Sequence, residues 1–386
     1  MRTLYESLLD ISGVESSVAP IAMIRNWCKD NIRGKYRVDK KTFTIDASGA
    51  IEVTNKKITE FPSYIHFGIV GGYFDCRGCS SLTSLKGCPK IVNGFFDCQE
   101  CISLTSLEGA PEKVNGDFSC SACISLTSLE GAPEKVNGDF YCLQCNSLTS
   151  LEGAPKEVDG DFYCIQCNSL TSLKGAPEKV NGSFSCEGCS SLTSLKGAPK
   201  YVDGNFDCRY CLSLTSLEGS PKEIGDDFAC NFCTDLKSLK GAPEKVNGRF
   251  SCDGCNSLTS LEGSPKYIKG DFCCTGCNSL TSLEGSPKEI NKKFDCNGCA
   301  SLTSLEGSPK YIKGDFCCGS CGSLTSLEGS PEKVDGSFYC WYCPSLTSLE
   351  GSPKYIGNCF NCQACDSLTS LDGAPEKVGG QIYSDI

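Results

Sequence analysis

From Phe74 onward, apolar and polar positions recur on a fixed 22-residue schedule, fourteen times, without insertion or deletion. One unit reads Phe118-x-Cys120-x-x-Cys123-x-Ser125-Leu126-Thr127-Ser128-Leu129-x-Gly131-x-Pro133-x-x-Val136. Phe and the first Cys are two residues apart, so both side chains fall on one face of a short strand. The residues before, between and just after them are expected to point outward. The second Cys turns inward again, Leu126 and Leu129 add apolar contacts on the return path, and Val136 closes the core. Gly131 and Pro133 force a bend, and Asn137-Gly138 turns the chain toward the next strand. No segment has room for a full α-helix, so the return path should be irregular or 3₁₀-like. A unit of this kind buries its apolar side only against its neighbours. The pattern therefore predicts a β-rich solenoid with parallel strands on a concave face.

Residues 1–73 lack the repeat and predict a small α/β N-terminal cap. Residues 3–11 and 20–33 have helical periodicity. In the second stretch Ile21, Ile24, Trp27, Cys28 and Ile32 share a face, and Gly34 follows the end. Residues 35–46 alternate like strand around a turn. Ile51-x-Val53 resembles the strand of the repeat, and Ile58-x-x-Phe61-Pro62 resembles its Leu-x-x-Leu segment. The expected domains are thus 1–73, a cap with a degenerate first turn, and 74–386, fourteen units plus a truncated strand. In that last strand Ile382 takes the Phe position and Ser384 the Cys position. Its unpaired edge invites self-association.

Charge separates the two parts. Residues 1–73 hold 10 Lys/Arg and 8 Asp/Glu, whereas the array holds 26 and 39. An acidic array argues against nucleic acid and against anionic membrane surfaces. No apolar run approaches the ~20 residues of a membrane span. The first sixteen residues carry Glu6, Asp10 and Glu15 and lack the basic start and apolar core of a secretory signal. The expectation is a cytoplasmic protein with reduced thiols.

The segment Phe-x-Cys-x-x-Cys-x-Ser-Leu-Thr-Ser-Leu resembles the cysteine-containing class of leucine-rich repeat. The run Cys79–Leu85, repeated at Cys189–Leu195, is similar to BspA-like bacterial surface repeats. With Leu-Glu-Gly-x-Pro and Val-x-Gly-Asp-Phe-x-Cys, the full unit resembles arrays encoded by bacteriophages and large DNA viruses, in which the second Cys is often Asn. The resemblance covers residues 74–386. It implies a curved, strand-lined solenoid that binds protein, and no common catalytic activity.

Twenty-eight of the 33 cysteines form two columns. Cys120-x₂-Cys123-x₁₈-Cys142-x₂-Cys145 has the spacing of a four-thiolate zinc motif, and iron–sulfur ligation is a variant of that idea. Against it, rungs near 4.8 Å apart would have to pinch together in pairs, and nothing in the sequence alternates with a two-unit period. The columns read better as free core thiols, with no cofactor. Disulfides are a third alternative. Off the columns, Cys28 belongs to the helix face and Cys88 to a small-residue position. Cys273, Cys317 and Cys359 have the outward phase.

No catalytic set is present. His66 is the one histidine, the regular glycines are turn residues, and no phosphate loop occurs. The chain is therefore expected not to be an enzyme. Information lies where units differ: before Phe, between Phe and Cys, and between the two Cys. Tyr141, Leu143, Tyr163 and Ile165 gather on adjacent rungs, Tyr210 and Phe232 form a second pair, and Tyr339, Trp341 and Tyr342 crowd one rung. These are candidate anchors for a protein partner. Asp117, Asp139, Asp161, Asp227, Asp271 and Asp315 precede Phe and would form an acidic border. A thiol-rich metal or redox array and an adhesive surface protein are the competing readings.

Overall fold

A computed structural model describes residues 18–386; the helix expected over residues 3–11 lies outside the described residues. Helix α1 (Val18–Asn31) leads directly into strand β1 (Ile32–Val38), which pairs antiparallel with β2 (Ile45–Val53). The helix ends earlier than its periodicity suggests. Asn31 closes it, with its side-chain amide donating to the Trp27 carbonyl at 2.8 Å and its own carbonyl accepting from Thr54. Ile32 is buried as the first strand residue rather than as the last helical one. Among the described residues no helix is long and apolar enough to cross a membrane.

The chain forms two compact units. The first extends to Asn146 and takes in Glu152–Pro155; the second comprises Ser147–Leu151 and Lys156–Ile386. Each is a β-solenoid of parallel strands with the 22-residue period, about fifteen turns in all. In the first unit Phe96–Asp97, Phe118–Ser119 and Phe140–Tyr141 stack in register. The second repeats the arrangement from Phe162–Tyr163 to Ile382–Tyr383.

Every rung carries a second strand that the apolar pattern did not announce. Pairs such as Lys113–Val114 and Lys179–Val180 build another parallel ladder. A strand two residues long offers only one inward side chain, here Val or Ile, and so has no alternation to detect. Both ladders start on β2. Its Ile45 and Ala47 pair with β3 (Phe67–Val70), and its Ile51 and Glu52 pair with Phe74 and Asp75. Thr83 donates its N–H to the Thr59 carbonyl, and Ile58 and Phe61, like Leu82 and Leu85 of the next rung, are buried.

The core is a set of columns. Phe74 to Phe360 are buried, with neighbouring ring centroids 5.1–5.9 Å apart within each unit. At the N-terminal end Phe67, Phe61 and Trp27 carry that column up to α1. The glycine of the Gly-x-Pro bend has φ of +82° to +100°, and a Cβ on Gly131 would collide with the Leu107 backbone. Glycine alone meets both demands without strain.

Both thiol columns lie in this core, and the 33 cysteines are thiols rather than halves of disulfides. The second Cys of a rung donates its S–H to the carbonyl of the first Cys one rung back: Cys123 to Cys98 at 3.2 Å, Cys145 to Cys120 at 3.3 Å, Cys255 to Cys230 at 3.2 Å. First-column thiols donate forward, as Cys98 does to Ser119 at 3.3 Å. Each such thiol is thus a small apolar group with a weak donor in use. Burial pushes Cys79 and Cys321 up to about 12. Contact with Cys123, and then burial, holds Cys98 well above the ordinary thiol range. Thiolate is the reactive form. Brief treatment of the native protein with iodoacetamide should therefore modify Cys359, the half-buried cysteine, and Cys365, which contact with Cys343 lowers to about 7, while the rest of the columns stay unmodified until denaturant is added. Intact-mass and peptide mapping check this, and rapid native alkylation elsewhere along a column would contradict it.

Candidate functional site

The variable positions converge on the surface of the Phe ladder. The structure sorts them into three columns of different character.

Residues that precede Phe are less available than their charge suggests. Asp117 accepts the backbone N–H of Asp139 at 2.9 Å, Asp161 that of Ser183 at 2.6 Å, and Asp227 that of Arg249 at 2.6 Å. Asp271 and Asp315 do the same for Lys293 and Ser337. The expected acidic border is thus a side-chain ladder that satisfies strand amides one rung on. Where Asp is replaced, Ser183 and Asn205 supply the acceptor. A carboxylate bonded to a backbone N–H is held by the fold as much as it is offered to a partner.

Residues between Phe and the first Cys face outward, but small ones sink between their neighbours. Asp75, Asp97, Ser119 and Ser251 are buried. So are Cys273 and Cys317, contrary to their outward phase, because Arg249 and Lys293 lie against them. Burial pushes both thiols up to about 12. Larger residues stand half-exposed: Tyr141 and Tyr163, whose hydroxyls each donate to the Asp of their own rung at 2.6 Å, and Tyr339.

Residues between the two Cys are the most exposed. Leu143 and Ile165 are half-buried, in the first and second units respectively. Trp341 is 41% exposed, and its indole covers Gly319, where an added Cβ would come within 2.9 Å. Tyr210 and Phe232 are each 44% exposed and stack at 5.0 Å with 9° between planes; the Phe232 ring lies over Gly254. Beside this pair a shallow hollow of about 260 Å³ opens over Ala229, bordered by Arg209, Arg249 and Asn231. Arg209 is committed to Asp207 at 2.7 Å and Glu187 at 3.1 Å. Asn231 donates to Asp253 at 3.0 Å, and its Oδ1 is the one buried side-chain oxygen or nitrogen without a partner among the described residues.

One property of this column escaped the sequence reading. Its second position is left-handed in every rung where φ is given, at +54° to +70°. Gly78, Gly188, Gly254, Gly276 and Gly298 occupy it without cost, but Tyr210, Phe232 and Tyr342 occupy it too, at +58°, +59° and +55°. Such a backbone costs a residue with a Cβ about 1–2 kcal/mol. The five glycines were the available signal.

Among the described residues no group of three or more His, Cys, Asp or Glu side chains is placed to hold a metal ion. Cys120, Cys123 and Cys145 direct their protons to backbone carbonyls, and Cys142 is buried beside them. No protein-family model matches the chain, and no curated protein matches it. Among solved structures it is similar to a leucine-rich repeat protein from Bacteroides ovatus, with 16% identity and a TM-score of 0.43. That match covers 92% of this chain and 99% of the other.

Asp75 and Asp97 are register partners on neighbouring rungs, with Arg77 bridging them at 2.8 and 3.4 Å. Burial raises Asp97 to about 6. The Asp75 charge adds to this, and the Gln99 N–H and Arg77 oppose it. The folded state therefore holds a proton that the unfolded chain has lost, so stability falls as pH rises from about 4 through about 6. Asp97→Asn should remove that loss. In urea denaturation the variant should gain on the order of 2 kcal/mol over wild type between pH 4 and pH 7.5. A difference independent of pH would count against a buried, proton-holding Asp97.

Proposed function

We propose that this chain is a non-catalytic scaffold that binds a protein partner through the surface of its Phe ladder, with the Tyr210–Phe232 pair as principal anchor. The observation that carries this reading is the placement of large aromatics where the backbone favours glycine. Elsewhere in the column glycine, Ala, Ser, Gln or Glu suffices. Tyr210, Phe232 and Tyr342 accept the conformational cost and remain 44–61% exposed, so burial in their own fold does not repay it. Strain retained at a surface position supports a use outside the fold. Rigid, exposed aromatics on a sheet are also the usual anchors of protein interfaces. The repeat contributes a platform whose Phe-ladder surface varies chiefly in these columns, and Trp341 with Tyr339 and Tyr342 would form a second contact.

Glycine substitution separates binding from folding, because glycine suits the left-handed backbone. Tyr210→Gly with Phe232→Gly releases the strain of two residues and loses one ring stack, so stability should stay within about 1 kcal/mol of wild type. Affinity capture from the native cell, quantified against wild type, should show the partner weakened about 30-fold, as loss of a 2 kcal/mol anchor demands. Equal capture by the folded double variant would remove this pair as the anchor. Tyr342→Gly, at a residue 61% exposed, should raise stability by about 1 kcal/mol in urea titration; a loss would show that the tyrosine packs more than it strains.

A further inference from the structure

The ladder on the other strand of each rung contains an opening that the repeat does not require. Flanking rungs pair two residues there: Lys179↔Tyr201 with Val180↔Val202, and Glu223↔Lys245 with Ile224↔Val246. Between them only Val202↔Ile224 pairs. Lys200 donates its backbone N–H to Glu178, and Glu244 donates to Lys222, but Lys222 makes no such bond to Lys200. The next column shows a matching defect. Asn and Asp side chains there bond from rung to rung, as Asn115 does to Asn93 at 3.0 Å and Asn181 to Asp159 at 2.9 Å. Gly225 interrupts that run, and a Cβ on it would collide with the Asp203 carbonyl. These two rungs thus lack both the Tyr201–Glu223 pairing and a side-chain bond at Gly225. The result is a slot of about 660 Å³, walled by Pro199 and Pro221 and bordered by Tyr201, Asp203, Lys222 and Asn247.

Its chemistry is specific. Tyr201 is 64% exposed, the most exposed of the large apolar and aromatic residues described. Lys200 and Glu223 are engaged, with Glu178 at 3.4 Å and Lys245 at 2.5 Å. Asp203 and Lys222 have no ion-pair partner among the described residues. The slot thus offers one aromatic face, two proline rings, one carboxylate acceptor and one ammonium donor, with no net charge left over. A neutral ligand with an apolar face and hydroxyls that both donate and accept fits this set. Its C–H face would stack on Tyr201, while neighbouring hydroxyls would donate to Asp203 and accept from Lys222. The volume lies in the range of small-molecule sites. We propose that this slot is a carbohydrate-binding site, sized for a neutral disaccharide and independent of the Phe-ladder surface.

The test is saturation-transfer NMR on the full chain with cellobiose, maltose and N,N′-diacetylchitobiose as probes and glycylglycine as the charged competitor, each at ~10 mM, well above a millimolar Kd. At least one disaccharide should receive saturation at its ring protons, and glycylglycine should neither bind nor displace it. Tyr201→Ala, at an exposed position that leaves the fold intact, should weaken binding at least tenfold. Gly225→Asn with Asp226→Gly, which restores the turn of the neighbouring rungs, should abolish it. No saturation of any disaccharide, binding indifferent to Tyr201→Ala, or preference for glycylglycine would each overturn the assignment.

Discussion

Everything in this fold depends on identical side chains meeting at the distance between adjacent strands. A parallel in-register ladder sets each residue beside its equivalent 22 positions away, so the sequence must tolerate self-contact at every inward position. Phe does so by offset stacking, with centroids 5.1–5.9 Å apart. Leu and Val do so by dispersion, and Cys by donating a weak S–H hydrogen bond to a carbonyl on the neighbouring rung. Buried charges could not. Burial penalises a charge, and a like charge on the next rung adds to that penalty, as Asp97 shows beside Asp75.

The same constraint shapes the surface. A polar side chain beside its own copy gains most by bonding along the stack. The Asn column, the threonine hydroxyls and the carboxylates before Phe all do this. Side chains employed this way are lost to partners. What remains outside the hydrogen-bonded ladders is a small set of large exposed residues, such as Tyr210, Phe232 and Trp341, and the places where a ladder is broken, as at Gly225.

Much of this was legible in the sequence, because the core is periodic and its period is short. Phe, both cysteines, the two leucines and the Gly-x-Pro bend identify themselves by recurrence. The Lys-Val strand did not, since a single inward valine looks the same in a strand as in a turn. The role of Asp117 was hidden for a different reason: its partner is a backbone N–H 22 residues away, which has no sequence signature. Cys273 and Cys317 had the outward phase and are nevertheless buried, because phase describes one strand, whereas exposure depends on what the rungs on either side carry. The left-handed position under Tyr210 was visible, but only down the column of glycines and not along any one rung.

Strand β2 has a consequence for how such a chain finds its fold. Rungs this similar are nearly interchangeable: displaced by one whole repeat, Phe still meets Phe and Cys still meets Cys. Within the array, then, correct and shifted pairings differ little in energy, the condition under which a landscape acquires competing minima. β2 is the described strand that pairs with both β3 and Phe74–Asp75, engaging the two ladders at once through one continuous nine-residue segment that the repeat does not reproduce. It serves as the origin of a count. A chain that begins pairing there has one register available to it, whereas a chain that begins mid-array has several.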